Sequence, residues 1–198
     1  MNVTTLRPDT LDRMVRAVER VKEQLAKATR ALEAGGVPYA VIGGNAVAAW
    51  VAQVDEGAVR TTRDVDVLIR REDLAAAISA MAVAGFEHAQ VAGVDLFIEG
   101  PTGKPSEGVH LLFAGETVKP GDPALTPLVE DSVQVEGIAY RVIALESLVR
   151  MKLVAFRRKD QVHLQDMTRL GLIDATWPDR YPPVLADRLR EILADPEG

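Results

Sequence analysis

Two short motifs, twenty residues apart, carry the groups in this sequence that could do chemistry. Gly43-Gly44 lies where the apolar run 39–42 meets a helical stretch, and Asp64-Val65-Asp66 begins a second apolar run. Because strand side chains alternate between the two faces of a sheet, Asp64 and Asp66 should point the same way. Two adjacent carboxylates repel each other unless a cation lies between them. Mg²⁺ prefers oxygen ligands of this kind and often shares them with substrate phosphates.

The glycine pair predicts the other half of such a site. A glycine turn that opens a helix exposes backbone N–H groups, and these groups bind phosphate. We therefore predict phosphate contacts at Gly43 and Gly44 and metal ligands at Asp64 and Asp66, which together form a metal–nucleotide site. Taken singly, the glycines could form any tight strand-to-helix turn, and the aspartates could form a solvated strand end.

Composition limits the class of protein and its location. The chain has 198 residues, of which 47% are hydrophobic and 26% charged, so it can form one domain or a core domain with a helical appendage. It contains no cysteine, which excludes disulfides and thiolate zinc sites. It has neither an apolar signal-peptide core nor a stretch long enough to span a membrane, so a cytoplasmic location is expected. The net charge of −6 argues against broad non-specific binding to nucleic acid.

The hydrophobic periodicity predicts an α+β fold. Helices are expected over 9–34, 44–53, 72–83, 145–156, 160–170 and 184–194, and strands over 38–42, 64–69, 86–90, 94–99 and 109–113, with a hairpin over 131–142. This order predicts a mixed sheet flanked by helices and followed by a C-terminal helical tail. The corresponding division is an N-terminal helix (1–35), an α/β core (36–143) and a helical segment (144–198).

A basic cluster in the tail has two interpretations. Arg150, Lys152, Arg157, Arg158 and Lys159 lie within ten residues of one another. They could form a solvated helix end, where cations are favoured by the helix dipole, or a grip on a triphosphate or an RNA acceptor. The next residue, Asp160, is predicted to be the N-cap of the following helix.

The glycine motif and the aspartate motif together resemble a known family signature. The order apolar residue, Gly-Gly, helix and Asp-apolar-Asp strand resembles the DNA polymerase β-like nucleotidyltransferase superfamily, and the tail looks like that of the small bacterial nucleotidyltransferases. The residues that carry the resemblance are Val41-Ile42-Gly43-Gly44, Arg63-Asp64-Val65-Asp66-Val67, Leu145-Glu146-Ser147-Leu148, Lys152-Leu153, Arg157, Lys159-Asp160 and Asp166. Within that superfamily, the group it resembles most is the toxin component of AbiE-type abortive-infection and toxin–antitoxin systems, together with its uncharacterised relatives.

The resemblance implies an enzyme that transfers a nucleotide. Asp64 and Asp66 would hold one or two Mg²⁺ ions against a nucleoside triphosphate, Gly43 and Gly44 would contact its phosphates, and Lys152 would help to bind it. An acceptor hydroxyl would attack the α-phosphate and release pyrophosphate. The acceptor could be RNA, such as a tRNA end, or a protein, and an antitoxin protein would be a further partner.

One strand departs from the signature. The superfamily usually has a third carboxylate on a later central strand, where it binds metal and accepts the proton of the nucleophile. The matching strand here is 109–113, whose polar residue is His110. Three alternatives follow: His110 is the general base, Asp95 supplies the missing carboxylate, or activity is weakened or lost. In the last case the chain would be a non-catalytic nucleotide- or partner-binding module that keeps the fold.

Overall fold

The computed structural model describes residues 8–100 and 103–196, and these form six α-helices and one seven-stranded sheet. The helices are α1 (Pro8–Ala34), α2 (Gly43–Ala52), α3 (Leu74–Val83), α4 (Leu145–Ala155), α5 (Arg158–Arg169) and α6 (Pro183–Ala194). The strands are β1 (Tyr39–Ile42), β2 (Val65–Ile69), β3 (Phe86–Val91), β4 (Val94–Glu99), β5 (Val109–Phe113), β6 (Ser132–Gln134) and β7 (Arg141–Ile143). Predicted segments that fall on residues 1–7, 101–102 and 197–198, and the side chains of Leu11 and Met14, lie outside the described residues.

The sheet is mixed, as the sequence predicts. Its strand order is β3-β4-β5-β2-β1-β7-β6. β2 lies at the centre, antiparallel to β1 and parallel to β5. In this register Asp66 is opposite Ile42 on one side and His110 on the other. The C-terminal end of β1 therefore meets the N-terminal ends of β2 and β5 at one edge of the sheet.

Alternation along β2 separates two hydrophobic cores. Val65, Val67 and Ile69 are fully buried in the core beneath α1 and α3. Leu68 is equally buried, but it packs into the core formed with α2, α4, α5 and α6. Since the side-chain period of a strand is two, Asp66 lies on the face of Leu68. The α2–α4–α5 side of the sheet is therefore the face that carries the aspartate.

The long helix α1 is part of one of these layers. Its residues Leu25, Ala28 and Leu32 are spaced by three and four positions and are buried against the sheet and α3. The division of the chain at residues 35 and 143 stays a prediction.

None of the helices within residues 8–100 and 103–196 combines the length and apolar character needed to cross a lipid bilayer.

The hairpin predicted over 131–142 is present, and the strands predicted over 86–90 and 94–99 form a second hairpin. β3 and β4 pair antiparallel around Ala92-Gly93, which both have positive φ. β6 and β7 pair antiparallel around Glu136-Gly137, where Gly137 has a φ of +73°. Positive φ costs glycine little, so Gly93 and Gly137 can reverse the chain direction, whereas Ala92 adopts a conformation that favours glycine.

The junction between α4 and α5 differs from the prediction. Phe156 adopts a left-handed conformation with a φ of +44°, which ends α4. α5 then begins at Arg158, two residues before the predicted N-cap at Asp160. Asp160 caps the helix from inside its first turn, because its Oδ2 accepts the backbone N–H of Arg157 at 3.2 Å. The prediction that Asp160 precedes the helix was therefore wrong.

Candidate active site

The glycine turn connects β1 to α2 and packs against the aspartate segment. Gly43 has a φ of +68°, a conformation that favours glycine. A Cβ atom on Gly43 would overlap the carboxylate of Asp66, so no other residue fits there without a shift. Asn45, in the first turn of α2, donates its amide to the backbone oxygen of Asp64 at 2.8 Å. The start of α2 and the two aspartates therefore form one compact group.

Each carboxylate faces a nitrogen group of the protein. Asp64 precedes β2 and Asp66 is its second residue, with side chains that are 39% and 25% exposed. Lys159 Nζ lies 3.5 Å from Asp64 Oδ2. His110 Nδ1 lies 3.6 Å from Asp66 Oδ1. The carboxylates are therefore partly neutralised by the protein itself and remain open to solvent.

His110 lies beside Asp66, as expected from the predicted strand pairing. Its neighbours Val109 and Leu111 are buried in the opposite core, so the imidazole is on the face of the aspartates. The Asp66 carboxylate is the main cause that raises the pKa of His110 above its ordinary value; partial burial opposes this effect, and Asp64 adds to it. The ring is therefore protonated to a greater extent near neutral pH than a free histidine.

Asp95 does not fill the position of the third carboxylate. On β4 it lies two residues from Phe97, which packs in the α1–α3 core. Its Oδ1 is 2.9 Å from His88 Nε2, and its side chain is only 10% exposed. Asp95 therefore points to the face of the sheet opposite Asp66, and this alternative was wrong.

Lys152 is buried in an ion-pair group between α4 and α5. Its Nζ lies 3.1 Å from Asp160 Oδ1, and the two side chains are only 6% and 1% exposed. Burial lowers the pKa of Lys152, although Asp160 opposes this effect. Burial would raise the pKa of Asp160, but Arg157 and Lys152 together hold it below its usual value. Lys152 is thus a partner of Asp160, and its role in binding a nucleotide stays a prediction.

Arg157 extends from this group toward the aspartates. Its Nε donates to Asp160 Oδ2 at 2.7 Å, while its side chain remains 56% exposed. Asp160, together with Asp66 and Asp64, raises the pKa of Arg157. The sequence places Arg157 in the basic cluster and in the family signature but not beside the aspartates, because its position depends on the break at Phe156. Arg157 and Lys159 are the two basic residues that the tertiary structure brings to the site.

A cleft of about 220 Å³ opens beside Asp66 on this face of the sheet. Asp66 and Gly43 lie in its wall together with Lys152, Arg157 and Lys159. The remainder of the wall is formed by α4 and by the loop that follows β5. The lining residues there are mostly apolar: Leu112, Val118, Ala124, Leu125, Leu148, Met151, Val154 and Ala155. This remainder of the wall is therefore mostly apolar, with Lys119 and Asp122 as its charged residues.

A family model described as uncharacterised nucleotidyltransferase matches residues 9–154. The match includes the glycine turn, both aspartates, His110 and Lys152. The chain belongs to this nucleotidyltransferase family. No curated protein sequence matches it. The matched range ends before Arg157 and Lys159, so these two residues join the site from outside it.

Solved nucleotidyltransferase structures have a similar fold. The antibiotic-resistance factor ANT(2'')-Ia, in a crystal structure with adenylyl-2''-tobramycin, superposes with a TM-score of 0.55 at 16% identity, over 87% of this chain and 98% of that one. The solution structure of ANT(2'')-Ia gives a TM-score of 0.51 at 14% identity, and the superposition covers 87% of this chain and 90% of that one. An antigenic nucleotidyltransferase-like protein from Paracoccidioides brasiliensis gives a TM-score of 0.52 at 17% identity, and the superposition covers 90% of this chain and 89% of that one. At these identities the likeness establishes the α+β fold.

The donor set of this site suits a hard cation that brings further ligands with it. Across residues 8–100 and 103–196, no group of three or more acidic, histidine or cysteine side chains is arranged to hold a metal ion. Asp64 and Asp66 supply oxygen, while His110 supplies nitrogen, which Mg²⁺ disfavours. Magnesium is often held by only one or two carboxylates together with substrate phosphates. Two partly exposed carboxylates against a glycine turn at the start of a helix fit that arrangement.

Proposed function

We propose that this nucleotidyltransferase moves a nucleotide from a nucleoside triphosphate to an acceptor hydroxyl, with Mg²⁺ held by Asp64 and Asp66. The observation that supports this most strongly is the contact between the Gly43 turn and the Asp66 carboxylate. Backbone N–H groups of such a turn bind phosphate, and the carboxylate binds a cation. A ligand that contains both, a divalent cation bound to a triphosphate, would therefore fit the two groups at once.

The residues around the cleft divide the work of binding. Backbone N–H groups at the start of α2 bind phosphate oxygens, and Arg157 adds charge from the α5 side. The bound divalent cation would neutralise the negative charge of the phosphates. Lys159, which now faces Asp64, can then turn to a phosphate oxygen. Positioning and neutralisation of this kind provide most of the catalysis in phosphoryl transfer.

His110 takes the proton in the proposed reaction. The acceptor oxygen forms a bond to the α-phosphorus, the bond from that phosphorus to the bridging oxygen breaks, and pyrophosphate leaves. The acceptor's hydroxyl proton passes to the imidazole, which is 24% exposed beside Asp66. The imidazole must be neutral to accept this proton. A divalent cation held by Asp64 and Asp66 would favour the neutral imidazole, because it would disfavour a second positive charge nearby.

We propose an RNA or protein hydroxyl as the acceptor. The resemblance to AbiE-type proteins further suggests a toxin that is restrained by an antitoxin partner. ANT(2'')-Ia was crystallised with adenylyl-2''-tobramycin, so a small polyhydroxylated acceptor belongs in the same assay. A toxin should stop growth when expressed alone, and the Asp66→Ala variant should not.

A second candidate function is nucleotide binding without transfer. Two observations favour it: histidine stands where the superfamily has its third carboxylate, and no third acidic group joins Asp64 and Asp66 among the described side chains. Such a module would keep the metal–triphosphate site and act by binding a partner.

One experiment tests both candidates. The purified protein is incubated with each α-labelled nucleoside triphosphate, Mg²⁺ and, separately, total tRNA, a protein extract or an aminoglycoside. Label that becomes attached to one acceptor, and that is lost in Asp64→Ala and Asp66→Ala, supports transfer. Metal-dependent binding of the triphosphate without attached label supports the binding module. The absence of any binding contradicts both.

A further inference from the structure

The loop between β5 and β6 forms the outer wall of the cleft, and the proposed function leaves it without a role. This β5–β6 loop comprises residues 114–128. Its base is closed by Glu116 and Thr126: the Thr126 N–H donates to Glu116 O at 2.9 Å, and the Glu116 N–H donates to the Thr126 hydroxyl at 3.1 Å. The same hydroxyl donates to Phe113 O at 2.6 Å. The loop is therefore attached to the end of β5 by buried hydrogen bonds.

A second anchor comes from the other side of the sheet end. The Arg71 guanidinium forms two hydrogen bonds with the Glu116 carboxylate, both of 2.6 Å. It also lies over the Phe113 ring, 3.7 Å from its centroid. Bidentate contacts of this kind fix orientation as well as distance. The base of the loop is consequently held in one position relative to the cleft.

The tip of the β5–β6 loop is a tight turn with a charged residue at each end. Gly121 has a φ of +85°, and the Asp122 N–H donates to Lys119 O at 3.1 Å. Pro120-Gly121 suits the centre of a type II turn. Asp122 Oδ2 accepts the Lys119 N–H at 2.8 Å, and no described residue hydrogen-bonds to its Oδ1. Lys119 and Asp122 both line the cleft, and the turn fixes the position of the Asp122 carboxylate.

Apolar side chains flank this turn and face the cleft. Val118 and Leu125 are 56% and 53% exposed, and both line the cleft. Met151 and Val154 of α4 line it as well. Sites for small molecules combine apolar walls with a few fixed polar groups in this way. A flat ring with polar edges would cover Val118 and Leu125 and also reach Asp122.

We propose that the β5–β6 loop binds the nucleobase of the triphosphate, and that Asp122 selects bases with an exocyclic amino group. The inference rests on the proposed function, because phosphates at Gly43 and Arg157 leave the mostly apolar wall of α4 and the loop for the base. A carboxylate can only accept hydrogen bonds. Adenine, cytosine and guanine offer an exocyclic amino donor. Uracil has none, and its ring N3–H donor lies between two carbonyl oxygens that a carboxylate repels.

Calorimetric titration of the full-length protein with Mg²⁺ separates the phosphate contribution from the base contribution. The titrants are inorganic tripolyphosphate and the α,β-methylene analogues of ATP, CTP, GTP and UTP. Variants Leu125→Ser and Val118→Ser test the apolar wall, and Asp122→Asn tests selection. Leu128→Ser is the matched control, because Leu128 is 54% exposed in the same loop but does not line the cleft.

The expected result has three parts. Wild type binds an amino-bearing analogue about tenfold more tightly than tripolyphosphate and severalfold more tightly than the UTP analogue. Leu125→Ser and Val118→Ser lose most of the tenfold gain but bind tripolyphosphate like wild type. Asp122→Asn reduces the preference over UTP, and Leu128→Ser changes nothing.

Three outcomes overturn the inference. If tripolyphosphate and the analogues bind wild type equally, or if Leu125→Ser and Val118→Ser bind every analogue like wild type, the loop does not bind the base while the proposed function stands. If Asp122→Asn keeps the full preference over UTP, Asp122 is not the selecting group. If none of the five titrants binds, the proposed function fails, and the inference fails with it.

Discussion

Asp66 is the residue on which the proposed metal–triphosphate site depends most directly. It contacts the glycine turn, faces His110 and lies in the cleft wall. We expect Asp66→Ala to fold but to lose the rise in Tm that Mg²⁺ and a nucleoside triphosphate produce together. A carboxylate that is partly exposed beside another carboxylate contributes little to the apo fold, so its removal should cost little stability.

Asp95 provides the matched control for this measurement. It is also a strand carboxylate with a histidine partner, but it lies on the opposite face. Asp95→Ala should lower the Tm, because it leaves a buried pair incomplete, and should keep the full rise with ligand. An Asp66→Ala protein that keeps the wild-type rise would remove Asp66 from the binding site.

His110 is expected to act in transfer but not in binding. His110→Ala should greatly reduce the rate of transfer and keep metal-dependent binding of the triphosphate. The reason is that the imidazole is proposed to accept the proton of the acceptor hydroxyl and not to bind the phosphates. His110→Asp, which restores the acidic residue of the superfamily signature, should retain or increase the rate. Single-turnover kinetics and titration measure the two quantities separately.

A matched control for His110 lies on the other side of the sheet. His88 is a β3 residue paired with Asp95, remote from the aspartates of the site. His88→Ala should transfer at the wild-type rate, once correctly folded. Full activity in His110→Ala would exclude His110 as the base.

At the scale of elements, the junction of α4 and α5 is held by Lys152 and Asp160. Both side chains are nearly inaccessible to solvent, so the loss of one partner leaves the other charge buried without compensation. We expect Lys152→Ala to reduce the free energy of unfolding by roughly 3 kcal/mol, although Arg157 still contacts Asp160. Urea unfolding measures this change.

A double variant distinguishes an ion-pair role from a packing role. In Lys152→Ala with Asp160→Asn, no buried charge remains, so part of the lost stability should return. Arg158→Ala, an exposed neighbour on α5, should change the free energy of unfolding by less than about 0.5 kcal/mol. If the two substitutions reduce the free energy of unfolding additively, Lys152 and Asp160 do not interact energetically.

At the scale of the whole molecule, His163 couples stability to pH. It lies on α5, where its Nδ1 is buried without a hydrogen-bond partner among the described atoms. Burial lowers the pKa of His163 to about 4, and Lys152 acts in the same direction, while Asp160 and Asp166 oppose it. The folded protein therefore resists protonation at this ring, whereas the unfolded chain takes up the proton near its ordinary pKa.

The stability that depends on neutral His163 is present above the unfolded pKa of about 6.5 and is lost as the pH falls toward 4. We expect it to contribute a loss of about 2 kcal/mol between pH 7 and pH 5. His163→Gln, measured by urea unfolding at both values, should lose less stability than wild type over this interval. An identical loss in both proteins would contradict the assigned pKa.

Local patterns in the sequence were sufficient for the elements and for the central pair of the site. Alternation places Val65, Val67 and Ile69 on one face of β2 and Asp66 on the other, and the glycines mark the turn, because both effects act within a few residues. The His110 strand was also placed correctly beside β2. This placement came from the resemblance, since strand pairing joins residues that are far apart in the chain.

The tertiary structure decided which charged groups reach the site and which serve the fold. Asp95 and His110 both lie on strands, but only the pairing of β4 with β5 determines that they face opposite sides. Lys152 is charged like its neighbours, yet it is buried, because α5 turns back at Phe156 and brings Asp160 over it. The same turn brings Arg157 and Lys159 to the aspartates. The contact of Lys159 with Asp64 joins distant segments, and the contact of Lys152 with Asp160 depends on the left-handed turn at Phe156, so sequence spacing alone determines neither.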